Sequence, residues 1–135
     1  MKKVTVIIER AKDGFYSAYC EDNPMLFGGG DSVSEAKEEL NETIRLTREL
    51  GHESAGCWPE WFDEEHEFEY RIDVPSLMDY YEGVITPTGI GRMAGINPKQ
   101  MWSYAHGLTK PRKAQKAKIQ DALHRLGQDL CSISF

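Results

Sequence analysis

The stretch from Gly95 to Lys113 carries four lysine or arginine side chains and no acidic one, although the whole chain has a formal net charge of −6. Those four residues are Lys99, Lys110, Arg112 and Lys113. Ammonium and guanidinium groups bind phosphate oxygens, and a glutamine such as Gln100 is suited to the edge of adenine. The residue types of this stretch therefore indicate contacts with the backbone and bases of a nucleic acid.

Charge is divided unevenly between two parts of the chain. Residues 1–75 contain 8 Lys and Arg against 18 Asp and Glu, a net charge of −10, whereas residues 76–135 contain 8 against 4, a net charge of +4. Between Pro87 and Lys118 there are seven basic residues and no acidic residue. An acidic half and a basic half on one chain suggest two partners of opposite charge.

Composition favours a globular protein of one ordinary domain or two small ones. Of the 135 residues, 40% are hydrophobic and 28% are charged. No apolar run approaches the roughly 20 residues of a membrane span, and the N-terminal segment meets Glu9 and Arg10 before a signal-peptide core can form. We therefore expect a cytoplasmic protein that has no membrane partner.

The three cysteines, Cys20, Cys57 and Cys131, are odd in number, far apart and without a CxxC pair. That spacing fits neither a disulfide framework nor a zinc ribbon. We expect buried, reduced thiols.

Two short helices are predicted to position the basic stretch. Thr86-Pro87 opens the first helix, because proline suits the first helical position. A steep crossing needs a small residue where two backbones meet, which Gly91 supplies, and Gly95 suits a sharp turn. Apolar residues form the shared face of the two helices: Ile90, Ile96, Met101 and Tyr104.

This pattern resembles the phage-repressor (Xre-like) helix-turn-helix, although glycine at both 89 and 91 weakens the first helix. The resemblance implies a recognition helix over residues 98–106 that enters the major groove of double-stranded DNA. The predicted contacts to bases and phosphates are Asn97, Lys99, Gln100, Trp102, Ser103 and His106. The predicted backbone anchors are Thr109, Lys110, Arg112 and Lys113. Trp102 has an alternative role in packing or a dimer contact, and His106 an alternative as an ordinary surface histidine.

The first half has the predicted element order β-β-β-α-β. Val4 to Arg10 alternates as a strand, and a Lys12-Asp13-Gly14 turn returns it as a hairpin. After a short third strand, Gly28-Gly29-Gly30 is interpreted as a turn before a helix, because it lacks the other residues of a phosphate loop. Ser32 and Glu35 form a capping box at the helix start, and Phe68 to Val74 alternates as the last strand.

Three segments of this half together resemble the HicB-type antitoxin family: residues 13–19 (DGFYSAY), 22–24 (DNP) and 30–36 (GDSVSEA). The resemblance implies an α+β chain with a truncated RNase H-like domain at residues 1–74 that binds a small basic HicA-like toxin. Residues 75–135 would then be the DNA-binding helix-turn-helix domain. One departure is Met25, where the family usually has glycine.

No catalytic site, cofactor site or metal site is predicted. His52, Glu53, Cys57 and His66 match no familiar metal-ligand spacing. RNase H-type chemistry requires acidic residues clustered on neighbouring strands, and Glu9 and Asp73 are isolated at strand ends.

The sequence therefore favours an antitoxin that also represses its own operon, acting as a homodimer or higher homo-oligomer. An alternative is a stand-alone helix-turn-helix regulator whose first half senses a ligand or dimerises. A third is a degenerate RNase H-like nuclease.

Overall fold

The computed structural model describes all residues, Met1–Phe135, and divides the chain into two units, Met1–Ser76 and Leu77–Phe135. The fold is mixed α+β, as predicted, with a four-stranded sheet and five α-helices. The strands are β1 (Lys2–Arg10), β2 (Tyr16–Cys20), β3 (Asn23–Gly30) and β4 (His66–Arg71). The helices are α1 (Val33–Leu50), α2 (Val74–Tyr80), α3 (Pro87–Ala94), α4 (Pro98–Ala105) and α5 (Lys113–Cys131).

The sheet of the first unit has the strand order β3-β2-β1-β4. β1 and β2 form the predicted hairpin, where Asp13 Oδ1 accepts a hydrogen bond from the Phe15 N–H at 3.0 Å. β4 pairs with β1 in parallel, after the chain has crossed through α1. The pairing register of the strands therefore places every second residue on the same face of the sheet, which we call the inner face.

Helix α1 covers that inner face. Its predicted capping box forms in modified geometry. Ser32 Oγ accepts from the Glu35 N–H at 3.1 Å, but the Glu35 carboxylate accepts from the Asp31 N–H at 2.7 Å rather than from Ser32. Helical spacing predicts a buried stripe from Val33 to Thr47; the helix buries this stripe except for Thr47, which is half-buried, and it ends at Gly51, which has a φ of 82°. The buried stripe is Val33, Ala36, Leu40 and Ile44.

The three glycines lie within β3 and pair with β2, so the predicted turn at this position is wrong. A Cβ atom on Gly28 would lie 2.2 Å from the backbone nitrogen of Leu40 and 2.7 Å from the carbonyl oxygen of Ala36. The helix backbone therefore rests directly on the strand. Only glycine allows so close an approach.

Pro59 and the acidic cluster after it predict a loop over residues 52–65, and in the structure this segment contains a short 3-10 helix, Glu60–Asp63. Trp61 and Phe62 are buried there, and Arg48 Nη1 donates to the Phe62 carbonyl at 2.9 Å. This segment extends the core along α1, which strand and helix periodicity could not indicate.

The last strand is shorter than predicted, because it ends at Arg71 and Val74 already belongs to α2. Ser76 after Pro75 predicts a short helix capped by Ser76, but Asp73 Oδ1 accepts from the Ser76 N–H at 2.8 Å, so Asp73 caps α2. Ser76 is instead buried within the helix.

The second unit has the predicted shared face, since Ile90, Ile96, Met101 and Tyr104 are all buried. Ile119 and Ala122 of α5 add to this core. The alternation of residues 131–135 suggested a strand, but α5 continues to Cys131 and the remaining residues form no strand. The predicted strand is therefore wrong for Cys131, which completes the last turn of α5, and its predicted pairing with a second copy stays a prediction.

The thiols also differ from the expectation that all are buried. Cys20 is buried, Cys57 is intermediate and Cys131 is exposed. None of the helices combines the length and the apolar character needed to cross a membrane.

Candidate nucleic-acid interface

Helix α3 begins and ends as its sequence predicts. Thr86 Oγ1 accepts from the Gly89 N–H at 3.0 Å, and Pro87 occupies the first helical position. The helix stops at Gly95, whose φ of 72° lies in the left-handed region that favours glycine. Three residues, 95–97, then connect α3 to α4.

Gly91 lies where α3 meets the start of α4. Its carbonyl accepts from the Ile96 N–H at 2.8 Å, and a Cβ at this position would lie 3.1 Å from Met101 Cβ and Cγ. Met101 is fully buried. The small residue therefore lets α4 cross α3 closely and fixes the direction in which α4 presents its outer side.

Helix α4 buries Met101 and Tyr104, and this leaves Lys99, Gln100 and Trp102 exposed. Asn97 is the N-cap, because its Oδ1 accepts from the Lys99 N–H at 2.9 Å. The Asn97 amide oxygen is thus engaged in starting the helix, and its NH₂ group is what it can offer to a partner.

Trp102 and His106 form a stacked pair on the exposed side of α4. Their ring centroids are 3.9 Å apart with an interplanar angle of 22°, and Trp102 is 51% exposed. His106 Nδ1 lies 2.9 Å from the Trp102 carbonyl oxygen, which can only accept, so Nδ1 carries a proton and donates. Both residues were predicted DNA contacts, but their stacking on each other was not predicted. Their i, i+4 spacing could have indicated it, because residues four apart are neighbours on a helix surface.

Ser103 and Thr109 join the end of α4 to the segment before α5. Their hydroxyl oxygens are 2.9 Å apart, and Gly107, with a φ of 70°, makes the turn between them. Ser103 is half-buried, whereas the other nine predicted contact residues are exposed. The hydrogen bond between the two hydroxyl groups therefore holds the segment before α5 against the end of α4.

The basic side chains beyond this turn face no acid. Lys110, Arg112 and Lys113 are exposed and take part in no ion pair, and the first turn of α5 contains no acidic residue. Arg112 is the N-cap residue of α5 but makes no side-chain capping bond. The positive end of the α5 dipole adds to these charges, so this surface suits phosphate groups.

The polar residues that suggested metal or nuclease chemistry are engaged elsewhere. No group of three or more His, Cys, Asp or Glu side chains could hold a metal ion. His52 stacks on Trp58 at 5.0 Å, and His66 packs on the edge of Trp61 at 4.7 Å. Glu9 accepts a hydrogen bond from the Tyr19 hydroxyl at 3.0 Å.

A 44-residue segment of the chain is 46% identical to the UPF0150 protein ssl0738 of Synechocystis sp.. The match spans 33% of this chain and 61% of the length of that relative. No family model matches the chain, and no solved structure matches it. Over the matched segment the chain is therefore a distant homologue of a UPF0150 protein.

Proposed function

We propose that this chain is a HicB-type antitoxin that binds and neutralises a small basic, HicA-like mRNA-cleaving toxin and represses its own operon by binding operator DNA. The observation that carries the proposal is the exposed basic surface of α4, which the Gly91 contact positions, and of the α5 start, on a chain whose first unit is acidic. The first half would act on a protein and the second on DNA.

The DNA-binding part of the proposal rests on the pair α3 and α4 as a helix-turn-helix. In such a motif the second helix enters the major groove and its N-terminal residues contact base edges. Lys99 and Gln100 are exposed in the first turn of α4, so they are the proposed base contacts. Lys110, Arg112 and Lys113 are the proposed phosphate contacts, which fix position without selecting sequence.

Two copies of the chain would bind the operator. A helix-turn-helix protein gains affinity and spacing from two half-sites when it dimerises. The end of α5 and the residues after it expose large apolar side chains, with Leu130 at 58% and Ile133 at 57%. These residues are the proposed contact between the copies.

The toxin-binding part rests on charge and on similarity. The first unit carries a net charge of −10, and an RNA-cleaving protein needs a basic surface to bind its substrate. Complementary charge speeds encounter between two such proteins. UPF0150 proteins are related to HicB-like antitoxins, and the distant UPF0150 homology adds support independent of charge.

The DNA-binding part is tested by fluorescence anisotropy with the DNA upstream of this chain's gene and with a scrambled duplex. Lys99→Ala and Gln100→Ala should each weaken upstream-DNA binding by about 1–3 kcal/mol and reduce the preference over the scrambled duplex. Lys110→Ala should weaken both duplexes alike and flatten the salt dependence. Lys12→Ala, which removes the same charge from the hairpin turn of the first unit, is the matched control and should leave DNA affinity unchanged.

Unchanged operator affinity in the Lys99 and Gln100 variants would show that α4 is not the recognition helix.

The toxin-binding part is tested by co-expression with the small basic protein encoded beside this chain's gene. A stoichiometric complex in which RNA cleavage by that protein is suppressed is the expected result. If the chain binds its upstream DNA but forms no such complex, it is a stand-alone regulator instead.

A further inference from the structure

The face of the sheet opposite α1 carries an apolar patch with no covering element. Ile7, Tyr19 and Phe27 are cross-strand neighbours in one row of that face. Phe15 lies beside them over Gly29, where an added Cβ would come within 2.6 Å of the Phe15 ring. We call these four side chains the outer patch: Ile7, Tyr19, Phe27 and Phe15.

The outer patch differs sharply from the inner face of the same strands. Ile8, Ala18 and Gly28 form the neighbouring inner row and are all buried. On the outer side, Phe27 is 58% exposed and Phe15 is 45% exposed. Contiguous exposed aromatic side chains are typical of protein interaction surfaces, where aromatic residues are enriched.

An acidic groove of about 550 Å³ adjoins the outer patch through Phe15, which belongs to the patch and also lines the groove. Its carboxylates are Asp31, Glu35, Glu38, Glu39 and Glu42. Glu35 accepts the Asp31 N–H, and Glu42 is paired with Arg45, whose guanidinium lowers the Glu42 pKa. Glu38 and Glu39 form no ion pair in the structure.

Charge decides what kind of molecule fits this surface. A second copy packed symmetrically against this face would bring another first unit of net charge −10 against the same groove, and nucleic acid would bring phosphates. Like charges brought together across an interface repel and oppose binding. The partner must cover the exposed rings and carry positive charge. A basic protein does both, because its apolar side chains can cover the phenyl rings while its lysines and arginines face the carboxylates.

We infer that the outer patch is the docking surface for the basic protein partner of the first unit, with the acidic groove beside Phe15 receiving cationic side chains of that partner. This inference rests on the proposed antitoxin function and adds to it the surface that acts. Phe27 and Phe15 are expected to be the anchors, because buried aromatic side chains carry much of the binding energy of protein interfaces.

The test measures the affinity of the purified full-length chain for the purified small basic protein encoded beside its gene, by isothermal titration calorimetry. Phe27→Ala and Phe15→Ala should each weaken binding about tenfold or more. The matched controls are Leu50→Ala and Leu46→Ala on the C-terminal half of α1, which are 61% and 48% exposed. The controls should change affinity less than about twofold, and thermal unfolding should show all four variants folded.

The possible results separate the docking surface from the antitoxin function. If the wild-type chain binds the basic protein and the phenylalanine variants bind it equally well, the surface is wrong and the antitoxin function stands. If the leucine variants weaken binding as much as the phenylalanine variants, the surface is also wrong. If the wild-type chain does not bind the basic protein, the antitoxin function fails and the inferred occupant fails with it.

Sedimentation of the free chain tests the competing occupant directly. The mass of the free protein should be the same for the wild type and for Phe27→Ala. A lower mass for Phe27→Ala would assign the outer patch to a second copy and overturn the inference.

Discussion

Each unit places a glycine where two backbones approach, but the two contacts would accommodate a methyl group very differently. At Gly28 of the first unit, an added Cβ would lie 2.2 to 2.7 Å from backbone atoms of α1. At Gly91 of the second unit, it would lie 3.1 Å from the Met101 side chain and 3.3 Å from the Ile96 carbonyl oxygen. A backbone in a packed layer cannot shift for one methyl group, whereas a methionine can move its Cγ away by changing rotamer and needs only a small shift at its Cβ.

The difference shows how the helices are held in place within each unit. In the first unit, α1 is fixed to one face of the sheet by direct backbone contact. The opposite face of the sheet has no covering helix in this unit. The second unit fixes α4 through an adjustable side chain and turns its basic side outward. The following predictions break or sharpen this contrast, beginning with the largest expected effect.

The two units should differ most in the reactivity of their thiols. Burial raises the pKa of Cys20 in the first unit to about 12, and nearby Asp22 adds to the shift. At pH 8 such a thiol is only roughly 0.01% ionised, and the thiolate is the reactive form. Cys131 in the second unit is exposed, so Ellman's reagent should label Cys131 at least about a thousandfold faster than Cys20 in the native protein.

A Cys131→Ser variant should lose the fast labelling phase. Labelling of Cys20 faster than the chain unfolds would contradict the buried position.

The raised Cys20 pKa also predicts how the free energy of unfolding changes with pH. Between pH about 9 and about 12 the unfolded chain releases this proton while the folded chain keeps it, so stability falls as pH rises. Cys20→Ala should reduce that slope relative to the wild type.

Gly28→Ala should be the most destabilising glycine substitution, because its methyl group would overlap backbone atoms of Leu40 and Ala36. The expected loss in the free energy of unfolding is about 3 kcal/mol or more. Denaturant unfolding followed by tryptophan fluorescence measures it, in a Trp102→Phe background where the signal comes from Trp58 and Trp61 of the first unit. At the neighbouring Gly29, an added Cβ would overlap only the Phe15 side chain and would lie at an ordinary 3.4 Å from the Tyr16 carbonyl oxygen, so Gly29→Ala should cost less. Equal losses at both positions would show that the helix does not rest on the strand backbone.

Gly91→Ala should have a smaller effect. The methyl group presses on Met101, while alanine gains about 1 kcal/mol in helix propensity, so the net loss should be about 1 kcal/mol. Denaturant unfolding monitored by far-ultraviolet circular dichroism measures this loss. A double-mutant cycle with Met101→Ala should show partial coupling, because alanine lacks the Cγ atom that lies 3.1 Å from the added methyl group but keeps the Cβ atom at the same distance. Purely additive effects would place the strain elsewhere.

Gly127→Ala should give the smallest effect and the opposite sign. Gly127 lies inside α5, and nothing lies within 4 Å of an added Cβ. Alanine should therefore stabilise the chain by up to about 1 kcal/mol in the same unfolding experiment. A loss of stability would show that this side of α5 already contacts something, such as a second copy.

Local sequence patterns were sufficient to predict structure where a residue forms its hydrogen bonds with residues close to it in the chain. The Ser32 cap, the Asp13-Gly14 turn, the Thr86-Pro87 helix start and the Gly95 stop all depend on contacts within a few residues. The buried stripes of α1 and of the α3–α4 pair followed from periodicity, because one side of each helix must leave water.

Features that depend on distant residues were not visible in the same way. The glycines of β3 looked like a turn, because nothing local shows that the α1 backbone lies 2.2 Å from where a Cβ would stand. Trp61 looked like part of a loop, because its burial depends on the rings of Phe62, His66 and Phe68 packed around it.

The sequence by itself determined the main strands and helices, the caps at Ser32 and Thr86, most of the buried stripes and the separation of acidic from basic charge, because these follow from short-range geometry and composition. Only the tertiary structure decided that β4 pairs with β1 in parallel, that Gly28 contacts α1, that Trp102 stacks on His106 and that Phe27 stays exposed. The physical reason is that strand pairing, close packing and exposure depend on segments that meet only after the chain has folded.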